Sequence, residues 1–158
     1  MNPISSYRWS GRRDADTTRR LSSFHLATPC APIHEESGAL VASAMGLHDH
    51  SDLHPFGGEL GWVAADPAHA GKGLGYAVCA AVTARLLQAG YDNIHLYTEH
   101  WRLAAIKTYL KLGYLPFLFA PEMAERWRAV CIQLSWSFTP EQWASEIVPC
   151  QVSRRERK

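Results

Sequence analysis

Between Ala70 and Gly75 the chain reads Ala-Gly-Lys-Gly-Leu-Gly, three glycines at alternate positions around one lysine. Glycine lets backbone approach a ligand closely and adopt positive φ. An apolar stripe at helical spacing begins within this run, at Leu74, so the loop feeds a helix N-terminus, where unpaired N–H groups and the helix dipole favour negative charge. Such a site suits a phosphate or pyrophosphate; the bland alternative is a glycine-rich turn that holds nothing. A P-loop needs GxxxxGK[ST], and here Gly73 follows Lys72, so the metal-binding hydroxyl is missing. A dinucleotide fingerprint fits less well than a simple anion cradle. Glu99 ends a strand 24 residues after Gly75, where a ribose-binding carboxylate belongs, but Asp66 to Ala70 separate the preceding strand from Gly71, and the third glycine or alanine is absent at Val78.

Other reactive side chains are scattered. Glu59 sits on the strand before the loop, and Glu99 and His100 end the strand after it, with His95 inside that strand. Tyr109, at helical spacing with Ile106 and Leu110, reads as core on spacing alone. His48, Asp49, His50, Asp52 and His54 form the densest cluster of ligand-type residues. An HxH loop can take Zn²⁺ or Ni²⁺, but a solvated loop is the better reading, and no metal is expected. Cys30, Cys79, Cys131 and Cys150 contain no CxxC pair and read as buried free thiols of a reducing compartment.

These residues need elements to position them. Ile4–Trp9 reads as a first strand and Asp14–Leu26 as one short amphipathic helix, ended by Pro29 and Pro32. Ile33–Glu36, Ser37-Gly38 and Ala39–Leu47 read as strand, tight turn and strand, followed by a polar loop from His48 to Gly58. Glu59–Ala65 is a short apolar strand stopped by Asp66-Pro67. Leu74, Val78, Val82, Leu86 and Ala89 form one helical stripe, with Gly90 placed as a C-terminal αL residue. Asn93–Thr98 is a strand, Leu103–Leu110 a helix closed by Gly113, and Tyr114–Phe119 a strand broken by Pro116. Met123, Trp127, Val130, Cys131 and Leu134 keep helical spacing, although Val130–Leu134 also fits a strand. Thr139-Pro140-Glu141 caps a short last helix. Strands alternating with helices of this length predict an α/β fold with a mixed, partly parallel central sheet flanked by helices.

Val63-Ala64-Ala65-Asp66-Pro67 followed by Gly71-Lys72-Gly73-Leu74-Gly75 resembles the acyl-CoA-binding motif of the GNAT (Gcn5-related) N-acetyltransferases. Ala105, Tyr109 and Gly113-Tyr114 match the family's later pattern A-x(3)-Y-x(3)-G-[FY]. The resemblance covers about Gly58 to Phe119 and implies a GNAT-like fold, here with a shortened N-terminal helical segment. It implies acetyl-CoA as acyl donor, a primary amine of a small molecule or peptide as acceptor, and direct transfer in a ternary complex. Val63, Ala64 and Ala65 would hold the pantetheine arm, and Ala70, Gly71, Lys72, Gly73, Leu74, Gly75 and Tyr76 the pyrophosphate. The strand at Glu59–Ala65 would splay from Asn93–Thr98. Glu59, 14 residues before Gly73, resembles the glutamate that acts as base in the histone-acetyltransferase members. Tyr109 matches tyrosines that stand beside the CoA sulfur and act as acid. Two positions depart from the family. Ala70 stands where Arg or Gln is usual, a lost phosphate contact of about 1–2 kcal/mol, and Arg102 stands where many members have an Asn that contacts the cofactor. Lys72 or Arg102 is expected to stand in as the cation. The alternative from another class is an acyl-CoA-binding sensor or scaffold without turnover.

Composition agrees with an ordinary globular domain. The chain has 158 residues, 47% of them hydrophobic and 20% charged, enough for one domain over 1–150 with a basic tail over 151–158. Sixteen Lys plus Arg against 15 Asp plus Glu give a net charge of +1, so no global field draws nucleic acid or an anionic membrane. The polar Met1–Asp14 segment has no apolar h-region, and no apolar run approaches the roughly 18–20 residues a bilayer needs. A cytoplasmic protein is expected, and dimers are common in the family it resembles.

Overall fold

The computed structural model describes residues 5–9, 28–49, 54 and 56–144. The elements in chain order are β1 (Ser5–Trp9), β2 (Thr28–Cys30), β3 (Ala42–Asp49), β4 (Gly57–Ala65), a 3-10 turn (Pro67–His69), α1 (Leu74–Gln88), β5 (Ile94–Thr98), α2 (Leu103–Lys111), β6 (Tyr114–Phe117), α3 (Met123–Leu134) and α4 (Pro140–Ala144). Six strands form one sheet in the order β2-β3-β4-β5-β1-β6. Only β4 and β5 are parallel neighbours, joined through α1 as a crossover; the other pairs are antiparallel. The mixed, partly parallel sheet with flanking helices is the expected fold class.

The predicted stripe of α1 is its buried face: Val78, Val82, Leu86 and the following Ala89 are nearly sealed. This helix packs over β3 and β4. It can seat closely because the strands beneath carry glycine. A Cβ on Gly46 would lie 3.2 Å from Leu86, and one on Gly58 would lie 3.0 Å from the Tyr91 ring. Gly90, at φ 91°, ends the helix as expected. On the next strand both faces are covered: Ile94 and Leu96 belong to the core, and His95, equally buried, stacks on His54 with ring centroids 3.8 Å apart. Thr83 on α1 donates to the Cys79 carbonyl at 2.8 Å. Its single proton is then committed, so the Tyr114 hydroxyl, also at 2.8 Å, donates to Thr83.

Several expectations shift. Ile33–Glu36 is not a strand: Ile33 forms one isolated bridge with Leu40 around a turn in which Gly38 takes φ 67°. The strand lies earlier, at Thr28–Cys30, and contains Pro29; as an edge strand it tolerates a missing donor. The same reason lets Pro116 sit inside β6, the opposite edge, rather than break it, and β6 ends at Phe117, not Phe119. The polar loop is shorter than read, because β3 runs on to Asp49 and β4 starts at Gly57. The ambiguous segment after Pro121 is a helix, burying Met123, Trp127, Val130 and Cys131 along one face. The helix expected at Asp14–Leu26, and with it the shortened N-terminal helical segment, lies outside the described residues, as does the tail over 151–158.

Candidate active site

The site begins as a split in the sheet. β4 is nine residues long, yet it pairs with β5 only at Gly58↔Ile94 and Glu59↔His95. Beyond that point β3 holds β4 as far as Ala65 on one side, and β1 holds β5 as far as Thr98 on the other. The two strands are anchored apart, which opens a wedge between them. A β-bulge accentuates it: Ser43 pairs with Ala64 and Met45 with Gly61, so Trp62 and Val63 together oppose Ala44. Bulges bend the strand that carries the extra residue. Trp62 takes φ 52°, a left-handed conformation that is unusual for a bulky side chain, and it is 77% exposed.

Two cavities flank this wedge. The larger, about 760 Å³, runs along Val63, Ala64 and Ala65, past Ala70, Gly71 and Gly73, across Leu74, Gly75 and Tyr76 at the start of α1, and against Ala105, Thr108, Tyr109 and Lys111 of α2. The smaller, about 270 Å³, lies between the splayed strands and is lined by Leu60 through Ala64, Tyr97, Thr98, Arg102 and Tyr109. Val63, Ala64 and Tyr109 belong to both, so the cavities meet at the Tyr109 ring.

The glycine loop is shaped as a cradle. Gly71 and Gly73 sit at φ 77° and 75°, so they are glycine for conformational reasons, and a Cβ on Gly71, Gly73 or Gly75 would project into open space. Gly73 is the N-cap of α1 and offers no side-chain cap; the first intrahelical bond is Ala77 N–H to Gly73 at 3.0 Å. The N–H groups of Leu74, Gly75 and Tyr76 therefore have no intrahelical acceptor. No acidic residue occupies the first turn to compete for them. Upstream, Asp66 accepts from the Ala68 N–H at 2.9 Å and from His69 Nδ1 at 3.2 Å, and caps the 3-10 turn. That backbone N–H, chiefly, holds the Asp66 carboxyl below its ordinary pKa. These donors, with one edge of β4 left unpaired by β5, fit the diphosphate and amide-bearing arm of a CoA thioester.

Tyr109 is buried and its hydroxyl pKa is pushed up to about 12, by burial first and by the adjacent Cys79, with Arg102 opposing. It is a protonated donor at neutral pH. Burial likewise raises the Cys79 thiol to about 12. Glu59 is half-buried and lines neither cavity; its carboxylate lies against Gly61, 3.3 Å from where a Cβ would stand, and Gly61 lines the smaller one. Glu99 and His100 line neither.

The sequence-derived set thus divides. Val63, Ala64, Ala65, Ala70, Gly71, Gly73, Leu74, Gly75, Tyr76 and Tyr109 converge on the large cleft. Lys72 points elsewhere, lining a shallow depression with His34, Glu35 and Glu36. Arg102 belongs to the smaller cavity. The basic residues that do line the cleft are His69 and Lys111, which sequence reasoning missed along with Thr108 and Cys79. A signal existed: Ala104, Thr108 and Lys111 recur at i, i+4 and i+7, one stripe of α2 beside the apolar one. Among the described residues no group of three or more His, Cys, Asp or Glu side chains is placed to hold a metal ion, and no helix is long and apolar enough to cross a membrane.

Residues 3–114 match the family model described as Acetyltransferase (GNAT) family, a span that includes both cavities. A mycothiol acetyltransferase of Nocardia farcinica (strain IFM 10152) is 42% identical over 67 residues, which are 42% of this chain and 22% of that protein, so the chain spans about a fifth of that relative's length. A crystal structure of a Trypanosoma brucei acetyltransferase aligns with a TM-score of 0.47 at 24% identity, over 55% of this chain and 61% of that one.

Proposed function

From the premise that this chain belongs to the acetyltransferase (GNAT) family, we propose that it moves an acetyl group from acetyl-CoA to the primary amine of a small molecule, directly, in a ternary complex. The observation that carries this reading is the meeting of a donor-lined cleft and a second cavity at one buried, protonated tyrosine. The name of the Nocardia relative, an acetyltransferase of mycothiol, supports a small acceptor.

When bound, acetyl-CoA supplies a thioester carbonyl open to attack by a neutral amine. The N–H groups of the Gly71–Tyr76 stretch hold the diphosphate, and the unpaired edge of Val63–Ala65 takes the pantetheine amides as an added strand. Lys111 supplies the cation that Ala70 does not. The amine arrives through the smaller cavity with an ordinary pKa near 10, so a base must take its proton. Glu59 does this across a water, since its carboxylate lies behind Gly61. The C–N bond forms as the C–S bond breaks, and the Tyr109 hydroxyl gives its proton to the departing sulfur. General acid and base assistance of this kind contributes about 10²–10⁴-fold each.

One observation favours a second reading, an acyl-CoA-binding module without turnover: Glu59 lines neither cavity. Calorimetric titration with acetyl-CoA, followed by thiol release over a panel of amines, separates the two. Micromolar binding with turnover that falls in Glu59→Gln and Tyr109→Phe is the expected result. Binding without turnover on any amine selects the module, and failure to bind acetyl-CoA sinks both.

A further inference from the structure

The smaller cavity carries one fixed charge. Its lining is apolar or aromatic at Leu60, Trp62, Val63 and Tyr97, with Thr98 as a neutral polar group, and the single charged side chain is Arg102. No Asp or Glu belongs to this lining. Arg102 stands at the entrance to α2 as its N-cap residue, with its backbone N–H bonded to Glu99 at 3.0 Å and its side chain exposed at the cavity mouth. Among the described residues no carboxylate forms an ion pair with its guanidinium. The guanidinium is close enough to bear on Tyr109 electrostatically, which places it near the junction of the two cavities.

A permanent cation at this point selects among amines. The reacting nitrogen must shed its charge, but any second charge on the acceptor stays. A second ammonium, as on a polyamine or an aminosugar with several amines, would meet Arg102, while Glu59, the carboxylate behind Gly61, is committed to the reacting nitrogen. An anionic group would meet a planar fork of donors matched to carboxylate or phosphate geometry. A volume of about 270 Å³ lies at the lower end of ligand-site sizes, so the acceptor is small. We infer that Arg102 is a specificity residue of the acceptor cavity, and that the acceptor is a small primary amine bearing an anionic group, with an α-amino acid as the simplest member of that class. The exposed Trp62 ring on the β4 bulge supplies apolar surface for the remainder of such a molecule. This inference rests on the acetyl-transfer reading and refines its acceptor.

The test compares acetylation of L-alanine, L-phenylalanine and L-methionine with that of their own amides, and of 1-aminoethylphosphonate, by CoA thiol release at saturating acetyl-CoA. Each amide keeps the side chain and loses the negative charge; its α-amine is also less basic, so kcat/KM is expressed per neutral amine. The acids are expected to exceed their amides at least tenfold in kcat/KM. Arg102→Gln should raise KM for the acids at least tenfold and bring acid and amide within about twofold of each other. A carboxylate preference with little phosphonate turnover identifies the carboxylate as the anion read; the reverse identifies a phosphate-type group. Equal rates for acid and amide in the unaltered protein overturn the inference, as does an Arg102→Gln protein whose calorimetric affinity for acetyl-CoA itself falls tenfold. Acetyl-CoA binding with turnover confined to uncharged or polycationic amines overturns it while leaving the transfer reading intact. Absence of acetyl-CoA binding overturns the transfer reading instead.

Discussion

Tyr109 is a residue whose surroundings decide its chemistry. Burial and the neighbouring Cys79 keep its proton on up to about pH 12, so it can serve as an acid throughout the working range but never as a base. Replacing it with Phe keeps the ring packed against Tyr114, 6.3 Å away between centroids, and removes only the hydroxyl. Tyr109→Phe is therefore expected to lower kcat by roughly 10²-fold while the calorimetric Kd for acetyl-CoA changes by less than about twofold. The unaltered protein should show no alkaline fall in kcat below pH 11 from this group. Loss of acetyl-CoA affinity alongside kcat would mean that the hydroxyl holds acetyl-CoA in the ground state rather than only protonating sulfur. Lys111 makes the complementary prediction. It lines the larger cleft, which we propose holds the diphosphate, so Lys111→Ala should weaken acetyl-CoA by about 3–10-fold, the scale of one charge-assisted contact near the surface. The weakening should shrink at 0.5 M salt and should not touch S-acetyl-pantetheine, which lacks the diphosphate. Equal weakening of both ligands would place Lys111 on the arm instead.

At the scale of elements, the loop and helix that form the cradle separate two roles of glycine. Gly73 holds φ 75° as the N-cap of α1, whereas Gly75 lies inside the helix without positive φ; a Cβ on either meets nothing within 4 Å. Gly73→Ala should thus cost about 1–2 kcal/mol of stability, purely conformational. Gly75→Ala should add up to about 1 kcal/mol, since alanine is the better helix former. Both place a methyl on the wall of the cleft proposed for the diphosphate, so both should weaken acetyl-CoA, by about tenfold or more. Urea denaturation of the free protein and calorimetry of the pair give opposite signs in one measurement and the same sign in the other. If Gly75→Ala destabilises as much as Gly73→Ala, the reading of Gly75 as an unstrained, open helical position is wrong. Glycine's double use explains why the cradle was legible from sequence: three glycines before a clean apolar stripe have few structural uses that do not leave the helix N-terminus open. The side chains around it were less legible. Lys72 sits within the motif but a turn with two αL residues carries it to the far side, while Lys111 enters the cleft from a helix 36 residues past Gly75.

Across the whole molecule, the order strand, loop, helix, strand, helix, strand was readable because each step is local and periodic. The insertion of β1 between β5 and β6 was not, because pairing across some 90 residues leaves no mark on either segment's own pattern. Nor did Pro29 and Pro116 reveal that they lie on the two edges of the sheet, where proline is tolerated. What tertiary packing adds is a shared floor beneath the cleft: Cys79 from α1, Tyr109 from α2 and Tyr114 from β6 come together, a charge on Cys79 raises both tyrosines, and one on Tyr109 raises Tyr114. Their stability consequence has a definite sign. In the unfolded chain the Cys79 thiol ionises near its ordinary 9.0 and the Tyr109 hydroxyl near 10.0, whereas in the folded protein both hold their protons to about 12; the Tyr114 hydroxyl is raised as well, by burial above all. Between pH 9 and 12 the folded state binds more protons than the unfolded one, so stability is level below pH 9 with respect to these groups and falls as pH rises through that window. The thermal midpoint followed by circular dichroism should show this steepening. Cys79→Ala should remove most of the decline between pH 9 and 10 and leave the tyrosine-driven part above it. A midpoint unchanged to pH 11 would mean that water reaches all three groups, and that the cleft has no dry floor on which Tyr109 could keep its proton for the sulfur.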